Sequence, residues 1–384
     1  MGRGTRYDSG ARACQVSKLL VRIHAPINQD GLIGHIGVDH KHQNSPGQFY
    51  YHLWIVLAIM CGILLASCST TPLSGAPIPT PTATPTPTAT SASMPTSPST
   101  ARTIFLIMME NHNWSDIKNS PSAPYINHTL LPMTSYAEQY YNPPGNHPSE
   151  PNYLWLEAGT NFGINNDDNP DANHQSTTHH LVTLLTQAHI SWKSYQESIS
   201  GSVCPLTETG LYAPKHNPMV FFDDVTNTND PHSSSCIAHV RPYTELATDL
   251  QQNTQARYNF ITPNLCDDMH DTCAPVHDSV KQGDTWLAQN LPAILNSQAY
   301  KNGGIVFITW DEGESVGGAV GGAGDGPIGM IVLSPDAKGG GYSNTIHYTH
   351  SSTLRTLEEI FGVTPLLGDA KTAIDLRDLF KTFP

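Results

Sequence analysis

Charge is scarce in this chain and basic charge scarcest: only 14% of the 384 residues are charged, 19 Lys+Arg against 33 Asp+Glu. The part after residue 67 keeps 13 of the basic and 30 of the acidic residues, a net of −17. Such a surface repels nucleic acid and anionic membranes, which excludes a polynucleotide-binding role. A hydrophobic run of membrane-spanning length is also missing where one is most nearly approached. Leu53 to Ser67, LWIVLAIMCGILLAS, is 15 residues long, short of the roughly 20 that a transmembrane helix needs. The cysteines lack zinc-knuckle spacing. The glycine run Gly317 to Gly326 lacks the Lys-Ser/Thr pair of a nucleotide-binding loop, so it reads as a surface loop beside a site.

What is present after the apolar run is Leu65-Ala66-Ser67-Cys68. Fifteen apolar residues suit the core of an export signal, and the tetrapeptide resembles a bacterial lipobox, in which the cysteine thiol carries the lipid. The first 51 residues are mixed in character, with their last lysine at Lys41, and are best explained by a start site assigned too far upstream. Residues 68–102 are rich in Pro, Thr and Ser and cannot bury a core, so they form an extended tether. The expected organisation is therefore 1–67 extension and signal, 68–102 lipidated Cys68 and linker, 103–384 one folded domain, displayed on a bacterial surface or released from it. Export also bears on Cys204, Cys236, Cys266 and Cys273, which are expected to oxidise. The most local pairing is Cys204 with Cys236 and Cys266 with Cys273, although four cysteines permit three connectivities.

From residue 103 onward short β-branched runs alternate with amphipathic stretches, the pattern of an α/β fold with a largely parallel sheet. TIFLIMM (103–109), YNFIT (258–262), GIVFITW (304–310) and IGMIVLS (328–334) are apolar throughout, as in strands covered on both faces. Helices are expected at His179–His189, Tyr243–Asn253, Ser279–Ser297 and Ser351–Phe361, the last ending before Gly362. Three of the strands run into polar clusters: Glu110-Asn111-His112, NLCDDMHD (264–271) and Asp311-Glu312. Residues at the carboxyl ends of parallel strands converge on one edge of the sheet. Several carboxylates gathered there repel one another unless a cation is present, and oxygen, amide and imidazole donors suit a divalent metal. Ser149, in the turn-rich, proline-flanked stretch NHPSEPNY and expected to be held in a rigid loop, is a nucleophile candidate, since a serine hydroxyl near a divalent cation is activated for attack on phosphorus. His347 and His350 have metal-ligand spacing as well, with ligand and structural roles equally open for His350.

MMENHNWSDI, NHPSEPNYLWLEAG, YAPKHNPMVFF, FITPNLCDDMHD and FITWDEGE, followed by HYTHSSTLRTLEEIFG, together resemble the phosphoesterase family of acid phosphatases and phospholipases C, within the alkaline-phosphatase-like superfamily. The resemblance spans Thr103 to Phe380. It implies a three-layer α/β/α sandwich with a mostly parallel central sheet. It implies that Glu110, Asn111, Asp311 and Glu312 bind a divalent metal of unspecified identity. It further implies that Ser149 attacks to form a phosphoseryl intermediate, and that Lys215, His216 and His270 contact phosphate, with His216 or His270 as the acid. Many members have paired aspartates where this chain has Asp311-Glu312, and a following Gly-Gly-x-x-Asp-His element that is replaced here. Extra C-terminal domains of the large phospholipase members are absent from this sequence, which favours the acid-phosphatase branch.

The expected activity is hydrolysis of phosphate monoesters, the substrate being a small phosphate ester or a phospholipid headgroup. A phospholipase C-type phosphodiesterase is the near rival, and a surface lipoprotein that binds a phosphorylated ligand without turnover is the rival of another class. The expected state is a monomer touching the membrane only through its lipid. A disulfide between Cys266 and Cys273 would hold His270 in place.

Overall fold

The computed structural model describes residues 102–314 and 325–383. The segments expected to be an export signal and a tether, with Cys68, and the glycine run up to residue 324 fall outside the described residues. Among the described residues there are ten strands: β1 Ile104–Met109, β2 Ser135–Ala137, β3 Tyr140–Tyr141, β4 Trp192–Gln196, β5 Val240–Pro242, β6 Tyr258–Thr262, β7 Ile305–Trp310, β8 Met330–Leu333, β9 Tyr342–Asn344 and β10 Tyr348–Thr349. Eight of them form one sheet in the order β5-β4-β6-β1-β7-β8-β2-β9, and β10 pairs with β3 separately. Strand β1 lies parallel to both neighbours, Ile104 pairing with Tyr258 on one side and with Ile305 on the other.

Every residue of β1, β6, β7 and β8 is buried. Because successive side chains point to opposite faces, a strand buried at every position is covered on both sides, the signature of a sheet between two helical layers. The expected α/β sandwich is therefore the observed one. The fourth apolar run is a strand buried on both faces, as expected, and is antiparallel within the mostly parallel sheet: β8 runs against β7, with Val306 opposite Leu333. A continuous apolar run reports two-sided burial and carries no information about direction.

The larger helices are α1 Ser149–Ala158, α2 Leu181–Gln187, α3 Leu246–Gln252, α4 Ser279–Asn296 and α5 His350–Phe361. Helix α1 corrects the expectation that Ser149 sits in a rigid loop. Pro148 precedes the helix and Pro151 is its third residue, where the missing N–H is one of the four that have no intrahelical partner. Helix α5 begins one residue earlier than expected: Thr349 is its N-cap, forming a reciprocal capping box with Ser352, and Gly362 closes it in the left-handed region at φ 66°. Both cysteine pairs form as the most local pairing, Cys204 with Cys236 and Cys266 with Cys273. Gly283 on α4 allows a close approach, since a Cβ there would overlap the side chains of Met269 and Met109. This contact seats the loop after β6 against the end of β1.

Candidate active site

Strands β1 and β7 are neighbours, so the residues that follow them emerge side by side. Glu110 and Asp311 are both fully buried. The Asn111 main-chain N–H donates to Asp311 Oδ1 at 3.0 Å, with Asn111 in the left-handed region at φ 52°, a conformation asparagine tolerates better than most side chains. The loop after β6 is tied to the same edge by Glu110 N–H donating to the Asp268 carbonyl at 2.8 Å. Asp268 is itself fully buried. Three carboxylates from three adjacent strand ends are thus buried together, with Glu312 beside them at 6% exposure.

Ser149 enters from α1. Its side chain is almost fully buried and its Oγ donates to Glu110 Oε2 at 3.1 Å. Lys215 and His216 come from a 3-10 turn, Pro214–His216, rather than from a strand end. Lys215 Nζ donates to Asp167 Oδ2 at 3.0 Å and to His270 Nε2 at 3.3 Å. His216 Nδ1 donates to Asp268 Oδ2 at 3.1 Å, which leaves Nε2 as the lone pair. That Nε2 faces Glu110 Oε2 at 3.3 Å without the alignment of a hydrogen bond. Glu110, His216 and His270 each bring one ligand atom within 4.8 Å of the others. Glu110, Ser149, Lys215, His216, His270, Asp311 and Glu312 therefore lie together at one edge of the sheet, with the Asn111 main chain among them, while Cys68 lies outside the described residues.

The electrostatics are those of a pocket short of positive charge. Burial raises the Glu110 carboxyl well above its ordinary range, with Asp311 and Asp268 adding to the rise and Lys215 opposing it. Asp311 is raised by burial and then by Glu312. Burial, then Lys215 and His270, push the His216 imidazole well below its ordinary value, so it is neutral. Asp311 Oδ2 is buried with no partner. A buried, unpaired carboxylate oxygen among three other carboxylates is costly unless a cation meets it, so this donor set fits a divalent ion. Glu110 belongs to this set together with Asp311 and Asp268, and its carboxylate also lies within 4.8 Å of ligand atoms of His216 and His270. His216 and His270 stand closer to Lys215, whose charge disfavours a second cation and suits an anionic phosphoryl group.

His350 resolves as a structural residue. Fully buried as the first residue of α5, it bonds the Asp311 carbonyl through Nε2 at 2.6 Å and Tyr140 Oη through Nδ1 at 3.1 Å. Burial lowers its pKa to about 4. His347 is exposed and lies against Tyr141, ring centroids 4.8 Å apart and planes tilted by 30°. His112 turns away from the carboxylates to Ser279 Oγ at 3.1 Å.

Several site residues were not singled out from sequence. Asn152 Nδ2 donates to Glu312 Oε2 at 2.8 Å, and His147 bridges Glu312 through Nδ1 at 2.8 Å and Asp325 through Nε2 at 2.5 Å. Hydrogen bonds to Asp325 and then Glu312 raise the His147 pKa to about 10, so it carries charge. Tyr153 donates to Glu110 Oε1. The available signal was helical spacing: Ser149, Asn152 and Tyr153 fall at i, i+3 and i+4, hidden by the two prolines.

A model of the phosphoesterase family matches residues 133–364, well over half of the chain. The chain belongs to the phosphoesterase family. Membership places it among hydrolases that act on phosphoric ester bonds, within the alkaline-phosphatase-like superfamily. The matched stretch carries Ser149, Lys215, His216, His270, Asp311 and Glu312, while Glu110 and Asn111 precede it.

The chain is 29% identical over 277 residues to a phosphatidylinositol-3-phosphatase of Mycobacterium tuberculosis, covering 72% of this chain and 82% of that one. It is 29% identical over 238 residues to the phosphate-repressible acid phosphatase of Penicillium chrysogenum, covering 58% of this chain and 51% of that one. This phosphoesterase thus spans about half the length of the fungal relative. Among solved structures it is similar to an alkaline phosphatase superfamily protein from Vibrio parahaemolyticus, at TM-score 0.47 and 10% identity, covering 72% of this chain and 71% of that chain.

Proposed function

We propose that the chain is an exported, metal-dependent phosphatase that hydrolyses phosphate monoesters with Ser149 as nucleophile. The observation that carries the reading is the Ser149 hydroxyl at 3.1 Å from Glu110 Oε2, at the start of a helix and facing a carboxylate pocket with one oxygen unpartnered. Glu110, Asn111, Asp311 and Glu312 would hold the divalent ion. Bound there, such an ion supplies Lewis-acid polarisation of the serine hydroxyl and of the phosphoryl oxygens.

The chain's own groups do the rest. Ser149 Oγ gives up its proton along the hydrogen bond it already makes to Glu110 and forms the new O–P bond as the ester O–P bond breaks. The N-terminus of α1 favours the negative charge gathering on the phosphoryl group. Lys215, with two N–H groups directed to Asp167 and His270, keeps a third for a phosphoryl oxygen. The leaving alkoxide departs on the side of Lys215 and His270 and takes its proton from a water held there, since the His270 side chain is 24% exposed against 3% for His216 and its Nε2 accepts the Lys215 N–H. Water then hydrolyses the phosphoserine, releasing phosphate and restoring the hydroxyl.

Monoesters are favoured because both curated relatives described above are named as phosphatases. The mycobacterial one is named for a phosphorylated inositol lipid, which keeps a phospholipid headgroup within the substrate class. Export is supported by the two disulfides, with Cys68 as the proposed lipid attachment. Cys68→Ala should release the chain from membranes, and retention there would remove the anchor from the proposal.

The test is hydrolysis of p-nitrophenyl phosphate by the purified full chain with and without chelator, beside Ser149→Ala. Turnover lost in both arms, by on the order of 10³-fold or more in the mutant, is the expected result. A wild type that cleaves only a choline phosphodiester would replace the monoesterase reading with the phospholipase C one. A wild type inactive on both, yet retaining inorganic phosphate in equilibrium dialysis, would leave a phosphate-binding lipoprotein.

A further inference from the structure

Tyr153 follows Ser149 by four residues on α1, so both side chains leave the same face of the helix. It is fully buried, and its hydroxyl donates to Glu110 Oε1, while Ser149 takes Oε2. Its ring lies nearly parallel to the His216 imidazole, centroids 5.3 Å apart and 13° between planes. Phe260 of β6 meets the same ring edge-on at 6.1 Å. A glutamate side chain has three torsions to restrict, and a serine bond alone fixes one oxygen. With the second oxygen also held, the carboxylate plane is set.

We propose that Tyr153 is a positioning residue: it locks Glu110 so that Oε2 meets Ser149, and its ring sets the plane in which His216 presents Nε2. The role rests on the reading of Ser149 and Glu110 given above. It differs from ordinary core packing in a checkable way, because a core tyrosine would donate its hydroxyl to any acceptor and its loss would be felt in stability alone. Here the acceptor is the carboxylate that also receives the nucleophile's proton, and the stacking partner is a residue assigned to phosphate. Partners of this kind, one step removed from the ligands, are worth about 10–100-fold in metal affinity or activity.

The experiment uses the full chain. Tyr153→Phe keeps the ring and removes the hydroxyl. Its melting temperature should stay at the wild-type value while kcat on p-nitrophenyl phosphate falls about 10–100-fold and KM moves less than about twofold. Mn²⁺ affinity, measured by calorimetry after chelator treatment, should weaken by about the same factor. In a Glu110→Gln background the further change Tyr153→Phe should leave Mn²⁺ affinity where Glu110→Gln put it. Tyr153→Leu should add a rise in KM, since His216 loses its stacking surface.

Wild-type kcat and Mn²⁺ affinity in Tyr153→Phe would overturn the proposal. So would losses that merely follow the folded fraction, or full additivity with Glu110→Gln. If the wild type hydrolyses no phosphoester, the functional reading falls, and the Mn²⁺ cycle still decides Tyr153. If it turns over substrate but binds no Mn²⁺, the split between kcat and KM decides. With neither turnover nor Mn²⁺ binding, the proposal falls together with the reading beneath it.

Discussion

Helix α1 has a buried histidine-carboxylate group near each end, and the two differ in how completely they are bonded. Toward its C-terminus, Glu157 accepts from His180 Nδ1 at 3.3 Å and from the Val182 N–H at 2.7 Å. His180 Nε2 reaches Asp224 Oδ1 at 2.9 Å, and the imidazole stacks on Phe222 with centroids 3.8 Å apart. Both ring nitrogens are engaged. At the N-terminus, by contrast, Asp311 Oδ2 and His216 Nε2 are buried without a hydrogen-bond partner. A closed network of charges is structural, whereas an open one marks where a ligand completes the bonding.

Mutations should separate the two groups in opposite directions. Asp311→Asn removes an uncompensated buried charge, so the metal-free protein should gain about 1 kcal/mol in denaturant unfolding. Its turnover should fall by on the order of 10²-fold or more, because the group lost acts on charge developing in the transition state. Equal loss of stability and activity would erase the contrast. His180→Leu should do the reverse. It leaves Glu157 buried and unpaired, at about 3 kcal/mol of unfolding free energy, while kcat per folded molecule stays at the wild-type value.

The two disulfides sharpen the same contrast at smaller scale. Cys204–Cys236 spans 32 residues and Cys266–Cys273 only 7, so in the chain-entropy account the second contributes less, about 2 kcal/mol. Its loop carries Asp268 and His270. Replacing Cys266 and Cys273 by serine should therefore lower kcat/KM more than the corresponding change at Cys204 and Cys236, although it costs less stability. Paired denaturation curves and kinetics check both halves.

How much of this was legible beforehand depended on the residue. Glu110, Asp311 and the β6 loop could be placed together because short apolar runs alternating with amphipathic stretches predict a mostly parallel sheet, and polar residues at the ends of its strands then share an edge. The direction of β8 could not be read, since burial on both faces erases the period that distinguishes arrangements. Strands β2, β5 and β9 have three residues each, too few for alternation to register. Asn152 and Tyr153 were concealed by Pro148 and Pro151, which read as turn residues yet occupy positions where a helix start tolerates them. His350 could not be assigned because a ligand and a buried carbonyl-binding imidazole look alike in sequence. Tertiary hydrogen bonds to Asp311 and Tyr140 decide it.

The smallest expected effect is a pH dependence at the closed end of α1. Facing His180 are Glu157, Asp224 and the Thr183 hydroxyl. Burial opposes its charge, but hydrogen bonds to Asp224 and Glu157 outweigh burial and raise its pKa above 6.5. A group raised on folding contributes stability that is fully present below the unfolded value and is lost as pH climbs through the folded one. Asp224 is shifted the other way: although burial acts to raise it, the bonds from His180 and Thr183 lower it below 3.8. Its contribution is present above that value and disappears as pH falls through the lowered pKa. The pair is therefore worth most between these limits. The stability difference between wild type and His180→Leu, from urea curves across pH, should be widest near pH 5–6 and narrow as pH rises beyond 6.5. A difference that stayed constant into the alkaline range would mean that His180 is neutral in the folded protein, and that this end of α1 is held by packing on Phe222 rather than by charge.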